Sequence, residues 1–95
     1  MDLGLQGKVA IVTGGARGIG AGISEVLAQE GANLVIDYRS DPQECEGFAE
    51  RLAQQYGVKT IAVQADISRP EEVEMLYARA LEAFGGVDRL VNNAG

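Results

Sequence analysis

The segment from Val9 to Gly22 constrains the fold of this chain more than any other. Its sequence, VAIVTGGARGIGAG, begins with four apolar residues, continues with a glycine-rich stretch from Thr13 to Gly18, and leads from Ile19 into residues of helical character. This order predicts a buried strand, a tight turn and a helix. Glycine lacks a Cβ, so backbone N–H groups can approach an anion closely, and a helix N-terminus favours negative charge. The segment is therefore a candidate phosphate-binding turn.

Short apolar runs recur along the chain. The predicted strands are Val9 to Val12, Leu34 to Ile36, Ile61 to Val63 and a fourth that starts at Leu90 to Val91. Each run is continuously apolar rather than alternating, which is typical of strands covered on both faces of a parallel sheet.

Three segments with apolar residues at helical spacing separate these strands. The first has a predicted apolar face made of Ile19, Ile23, Val26 and Leu27. The second and third helices are predicted to begin at Asp41 and Ser68, because each is followed by a proline and then a glutamate, as in an N-terminal capping box.

The alternation of four strands and three helices predicts an α/β fold with a partial doubly wound parallel sheet in the order 3-2-1-4. Right-handed crossovers would place the first two helices on one face and the third on the other. In open sheets of this kind the ligand lies at the carboxyl ends of the strands where the order reverses, here strands one and four. Both the glycine turn and the sequence Asn92 to Gly95 fall at that point.

The formal net charge of −6, without a Lys/Arg cluster, disfavours nucleic acid and anionic membranes as partners. No basic leader or apolar stretch of bilayer length is evident, so we expect a cytoplasmic protein. One cysteine and no histidine argue against a metal site, and Cys45 is interpreted as a small apolar helix residue. The acidic residues off the apolar faces are interpreted as solvated: Glu46, Glu50, Glu72, Glu74 and Glu82.

Three short motifs then carry a family resemblance. Residues Thr13 to Gly20, TGGARGIG, match the TGxxxGxG cofactor motif of classical short-chain dehydrogenase/reductases, Asp66 follows the third strand in an Ala-Asp-Ile triplet, and Asn92 to Gly95 match NNAG. The whole chain resembles the dinucleotide-binding, Rossmann-type part of that family. The resemblance implies cofactor contacts from Thr13, Gly14, Ala16, Arg17, Gly18, Ile19, Gly20, Arg39, Ala65, Asp66, Ile67, Asn93, Ala94 and Gly95.

The end of the second strand bears on the choice of cofactor. The resemblance places the NAD-selecting acid of the family at Tyr38, so Asp37 stands one residue early and is expected to point to the other side of the strand. Arg39 and Arg17 stand where many NADP-preferring members carry basic residues. Two guanidinium groups suit a phosphate, so NADP(H) is the expected cofactor and NAD remains possible.

Hydride transfer in the family uses a Ser, a Tyr and a Lys, with the last two four residues apart. No such set is found here, since Tyr56 and Lys59 have the wrong spacing and Tyr77 is followed at that offset by Leu81. We therefore expect no catalytic residues and no dehydrogenase turnover in this chain. Residues 1–95 are interpreted as a dinucleotide-binding half-domain that is truncated after strand four.

Two functions stay open at this point. The chain is either the N-terminal cofactor-binding portion of an NADP(H)-dependent oxidoreductase, or a stand-alone nucleotide-binding or association module without catalysis. The first implies a small carbonyl or alcohol substrate and a homo-oligomer for the complete protein.

Overall fold

A computed structural model describes residues 4–93 of the chain. Strands and helices alternate throughout, in the order β1 (Val9–Thr13), α1 (Gly18–Gln29), β2 (Asn33–Tyr38), α2 (Pro42–Tyr56), β3 (Thr60–Gln64), α3 (Pro70–Phe84) and β4 (Arg89–Asn92). The predicted strands were each shorter than those observed by one to three residues, because the polar residues at their ends also join the sheet.

The four strands form one parallel sheet in the order β3-β2-β1-β4, as the sequence predicted. On one side of the central strand β1, Val9 lies opposite Asn33 of β2. On the other side, Thr13 lies opposite Asn92 of β4. The sheet order therefore reverses beside β1, next to the glycine-rich turn.

Apolar side chains fill a layer on each face of the sheet. Between the sheet, α1 and α2 lie Ala10, Ala28, Leu34, Ile36, Tyr38, Cys45, Ala49 and Leu52. Between the sheet and α3 lie Val9, Ile11, Val35, Val63, Leu76 and Ala80. The predicted division of the helices between the two faces is confirmed. Cys45 is buried, and burial raises the pKa of its thiol, which suits an inert core residue.

The predicted apolar face of α1 was wrong for two of its residues, Ile19 and Val26, whereas Leu27 packs against the core as predicted. Ile19 and Val26 are 79% and 51% exposed, and the residues that α1 buries are Gly20, Ser24 and Ala28. Because α1 passes close to the start of the glycine-rich turn, only small side chains fit on the side of this helix that faces the sheet. The larger apolar residues are consequently displaced toward the outer surface.

Asp41 begins α2 as predicted, but the side-chain caps predicted for α2 and α3 were wrong. Asp41 and Arg69 occupy the N-cap positions, and neither side chain makes a capping hydrogen bond. Ahead of α3, Asp66 accepts hydrogen bonds from the backbone N–H and hydroxyl of Ser68, at 3.0 and 2.7 Å. Glu72, predicted to be solvated, is half-buried and accepts from the Asp66 N–H at 2.8 Å.

Candidate cofactor-binding site

The predicted site residues meet at the carboxyl end of the sheet. Residues 13–20 connect β1 to α1, Arg39 follows β2, residues 65–67 follow β3, and Asn93 follows β4. Parallel strands end at the same edge, so these four connections surround one region. Two predicted residues lie outside the described part of the chain, Ala94 and Gly95.

The glycine-rich turn adopts backbone geometry that side chains disfavour. Gly14 and Gly18 have φ angles of 60° and 53°, in the left-handed region where glycine carries no steric cost. The Gly15 N–H donates to the Asp37 carbonyl oxygen at 3.0 Å, and the buried Ser24 hydroxyl donates to the Gly15 carbonyl oxygen at 2.8 Å. The turn is thus held to both β2 and α1.

Gly20 allows α1 to pass very close to the turn. A Cβ at this position would lie 2.0 Å from the Gly14 carbonyl oxygen and 2.7 Å from Nδ2 of Asn93. Real Cβ atoms do not approach a backbone oxygen at that distance, so any side chain here would displace the turn. Gly20, the last glycine of the TGxxxGxG motif, therefore sets the distance between α1 and the turn.

Polar side chains of β1 and β4 fix the turn from the other side. The Thr13 hydroxyl lies 3.2 Å from Oδ1 of Asn92, and the Asn93 N–H donates to Thr13 Oγ1 at 2.9 Å. Nδ2 of Asn93 donates to the Gly14 carbonyl oxygen at 3.4 Å. The asparagine pair after β4 and the glycine turn after β1 consequently form one hydrogen-bonded unit.

The N-terminus of α1 is electrostatically suited to an anion. Arg17 is its N-cap residue, its side chain makes no capping bond, and the first turn contains no acidic residue. By contrast, the first turns of α2 and α3 contain one and two glutamates. The leading N–H groups of a helix lack intrahelical partners and attract negative charge, so this turn fits a pyrophosphate.

Asp37 is a buried carboxylate beneath the turn, 1% exposed. Its Oδ2 accepts from the Gly14 N–H at 3.4 Å, while Oδ1 is buried with no hydrogen-bond partner among residues 4–93. Burial raises the pKa of Asp37 to about 6, although backbone hydrogen bonds from Gly14 and Ala65 and the charge of Arg39 oppose the shift. Its neighbour Tyr38 packs in the core between the sheet, α1 and α2.

The two arginines assigned to phosphate recognition both have acidic partners. Arg17 forms an ion pair with Asp41, and its Nη2 lies 3.2 Å from Oε2 of Glu44. Arg39 is 72% exposed and lies 3.5 Å from Oδ2 of Asp66. A phosphate bound at this end of the sheet would therefore exchange contacts with carboxylates already in place.

Asp66 and Ile67 lie after β3, as predicted. The hydrogen bonds from Ser68 lower the pKa of Asp66 and keep its carboxylate charged. Ile67 lines the cleft formed by the turn and the end of β2. The pair thus presents an acceptor and an apolar surface side by side.

This cleft has a volume of about 170 Å³ and lies between the turn and the loop from β2 to α2. It is lined by Gly14, Ala16, Arg17, Asp37, Tyr38, Arg39, Ser40, Cys45 and Ile67. Four of these were not among the predicted site residues: Asp37, Tyr38, Ser40 and Cys45. The loop after β2 follows a carboxyl end of the sheet, so its position in the chain was the signal that could have identified Ser40.

Within residues 4–93, no three acidic, cysteine or histidine side chains are grouped so that they could hold a metal ion. None of the described helices is both long enough and apolar enough to cross a bilayer.

The fold and the turn place the chain among proteins of the Rossmann type. A family model described as short chain dehydrogenase matches residues 8–95. The chain therefore belongs to the short-chain dehydrogenase family.

Several relatives share this sequence pattern. Glucose 1-dehydrogenase 2 of Bacillus subtilis is 44% identical over 91 residues, covering 96% of this chain and 35% of the relative. The 3beta-hydroxysteroid dehydrogenase 1 of Eggerthella lenta is 45% identical over 93 residues, with 96% and 34% covered. The chain thus spans about a third of the length of the curated relatives it matches.

A solved structure shares the fold over the whole chain. The L-sorbose reductase of Gluconobacter frateurii, crystallised in complex with NADPH and L-sorbose, superposes with a TM-score of 0.94 at 41% identity. The match covers 100% of this chain and 36% of the reductase.

Proposed function

We propose that residues 1–95 form the dinucleotide-binding half of an NADP(H)-dependent oxidoreductase that transfers hydride between the nicotinamide and a small carbonyl or alcohol substrate. The observation that carries this proposal is the placement of Arg17 and Arg39 beside one cleft at the carboxyl end of the sheet, between the glycine-rich turn and the loop after β2. The chain has 8 basic and 14 acidic residues, so two guanidinium groups at one ligand position call for an anionic partner.

The glycine turn supports pyrophosphate binding, and the two arginines support recognition of the 2′-phosphate that distinguishes NADP from NAD. The related sorbose reductase was crystallised with NADPH, which agrees with this choice of cofactor. When bound, the cofactor supplies the hydride acceptor or donor. The residues of this chain hold its phosphates and its adenosine end.

The remaining predicted residues have complementary roles in this proposal. Asp66 would accept from the adenine amino group and Ile67 would pack against the ring. Asn93 holds the Gly14 carbonyl oxygen and so keeps the turn in its binding geometry. The groups that complete hydride transfer are assigned to segments beyond these 95 residues, as the greater length of the relatives suggests.

The names of the relatives support the substrate class. They refer to glucose, a hydroxysteroid and sorbose, which share a carbon that alternates between hydroxyl and carbonyl. The proposal therefore specifies this chemistry without choosing among the three.

The proposal predicts that Arg39→Asp in the complete protein weakens NADP(H) binding about 10- to 100-fold and changes NAD(H) binding about twofold or less. Hydrogen bonds to charged groups contribute roughly 1.5–3 kcal/mol, and only NADP(H) carries the phosphate that would lose one. Titration of both reduced cofactors by nicotinamide fluorescence measures the two affinities. Arg79→Asp, an exposed α3 residue, has the same charge change and should leave both affinities unaltered. Equal losses for NADPH and NADH in the Arg39 variant would contradict the proposal.

A further inference from the structure

The N-terminus of α2 carries an acidic pair whose placement the phosphate-binding role of the cleft does not explain. Asp41 has a φ of 60°, and its backbone carbonyl accepts from the Cys45 N–H at 3.0 Å, but its side chain does not cap the helix. The carboxylate instead reaches Arg17, which lies 24 residues earlier, and Glu44 joins it from the first turn of α2.

These contacts leave the mouth of the cleft with an excess of negative charge. Arg17 faces two carboxylates, from Asp41 and Glu44, and Arg39 faces one, from Asp66. Two positive and three negative charges are therefore ion-paired at the mouth of the cleft assigned to a doubly charged phosphate, and the buried carboxylate of Asp37 lines the same cleft. Arg17, Asp41 and Glu44 are more than half exposed, so their contacts are exchangeable.

We propose that Asp41 and Glu44 are specificity-determining residues that lower the affinity for a 2′-phosphorylated dinucleotide by competing with the phosphate for Arg17. The inference rests on the proposed function, because it needs a phosphate near Arg17. It assigns to this chain a weaker preference for NADP(H) over NAD(H) than its two arginines alone would produce.

Competition is the physical basis of this assignment. The guanidinium must release or share its carboxylates before it can donate to a phosphate, and both carboxylates repel the incoming dianion. NAD has a hydroxyl in place of this phosphate, and the pyrophosphate is common to both cofactors, so the difference between their affinities isolates the effect on the 2′-phosphate. Removing the carboxylates should therefore strengthen the binding of one cofactor and leave the other nearly unchanged.

The test is the double variant Asp41→Asn with Glu44→Gln in the complete protein, titrated with NADPH and NADH. We expect the dissociation constant of NADPH to fall about three- to tenfold and that of NADH to change less than about twofold. At about 1 M salt the gain should largely disappear, because the Debye length falls to about 3 Å. Asparagine tolerates a positive φ, so the backbone at position 41 is retained.

Matched variants separate the possible outcomes. Glu74→Gln with Glu82→Gln removes two exposed carboxylates from α3 instead, and an equal gain there would overturn the inference by showing an effect of net charge. Unchanged or weaker NADPH binding in the Asp41 and Glu44 variant would also overturn it, the latter because the acids would then be positioning Arg17. Arg39→Asp, measured in parallel, tests the proposed function: a selective loss of NADPH affinity there leaves that function standing even if the inference fails.

Discussion

Replacing Gly20 by alanine is expected to destabilise the protein by about 3 kcal/mol or more and to weaken dinucleotide binding about 100-fold or more. The added methyl group would lie 2.0 Å from the Gly14 carbonyl oxygen and 2.7 Å from Nδ2 of Asn93. The first neighbour is backbone and cannot rotate away. This clash can be relieved only if α1 moves away from the turn. That movement breaks the Gly14–Asn93 hydrogen bond and misplaces the N–H groups that face the phosphates.

Urea unfolding and titration with NADPH measure the two effects. Gly22→Ala is the matched control, since a Cβ at Gly22 of the same helix meets nothing within 4 Å. This control should stabilise the protein by about 0.5–1 kcal/mol, because alanine loses less backbone entropy than glycine in a helix. If Gly20→Ala unfolds and binds like the wild type, the close approach of α1 to the turn does not limit this protein.

The second large effect concerns the buried carboxylate of Asp37. Its pKa is about 6 in the folded chain and 3.8 in the reference state, so between these values the folded state binds more protons than the unfolded state. The free energy of unfolding contributed by this group therefore falls as pH rises from about 4 to about 6, and the loss persists above pH 6. The difference in pKa corresponds to up to about 3 kcal/mol.

Asp37→Asn isolates this contribution. Asparagine keeps an oxygen for the Gly14 N–H and never ionises, so the variant should gain stability relative to the wild type as pH rises from 4 to 7. Denaturant unfolding across this range measures the difference between the two proteins.

Asp66→Asn supplies a control of opposite sign. The lowered pKa of Asp66 adds stability that is lost as pH falls from the reference value of 3.8 through the folded-state pKa. This variant should therefore lose stability relative to the wild type as pH rises toward about 4, and the difference should stay nearly constant from pH 4 to 7, where Asp37 titrates. A pH-independent difference between the wild type and the Asp37 variant would show that Asp37 is not charged and buried in the folded state.

Short-range patterns were enough to predict the sheet order, and the family resemblance supplied the candidate site residues. Continuous apolar runs, the helices between them and right-handed crossovers determine which strands are neighbours, and the strand ends then determine which loops meet. Residues 13–20, Arg39, residues 65–67 and Asn93 lie at one edge of the sheet, as this strand order requires, and their contacts with a cofactor stay a prediction.

The errors arose at residues whose contacts are with partners distant in the sequence, where the prediction had assumed partners close by. Asp41 has a suitable sequence position for capping α2, but its carboxylate contacts Arg17, and sequence periodicity contains no information about that pairing. The burial of Ile19 and Val26 on α1 was predicted wrongly for a similar reason, because the space beside Gly20 is defined by Gly14, which folding brings into contact. Asp37 was predicted to stand one residue before the position of the NAD-selecting acid. Its burial was not predicted, because that burial depends on the glycine-rich turn above it.

The central position of β1 also has a consequence for how the chain folds. Its partners in β2 are 24 residues away, whereas its partners in β4 are 79 residues away. Closing the longer loop costs roughly 1 kcal/mol more chain entropy, and no β4 contact can form until residues 89–92 have been synthesised. The β1–β2 pair can therefore assemble first, and the hydrogen bonds from Asn93 that complete the glycine turn form only after the last strand has docked.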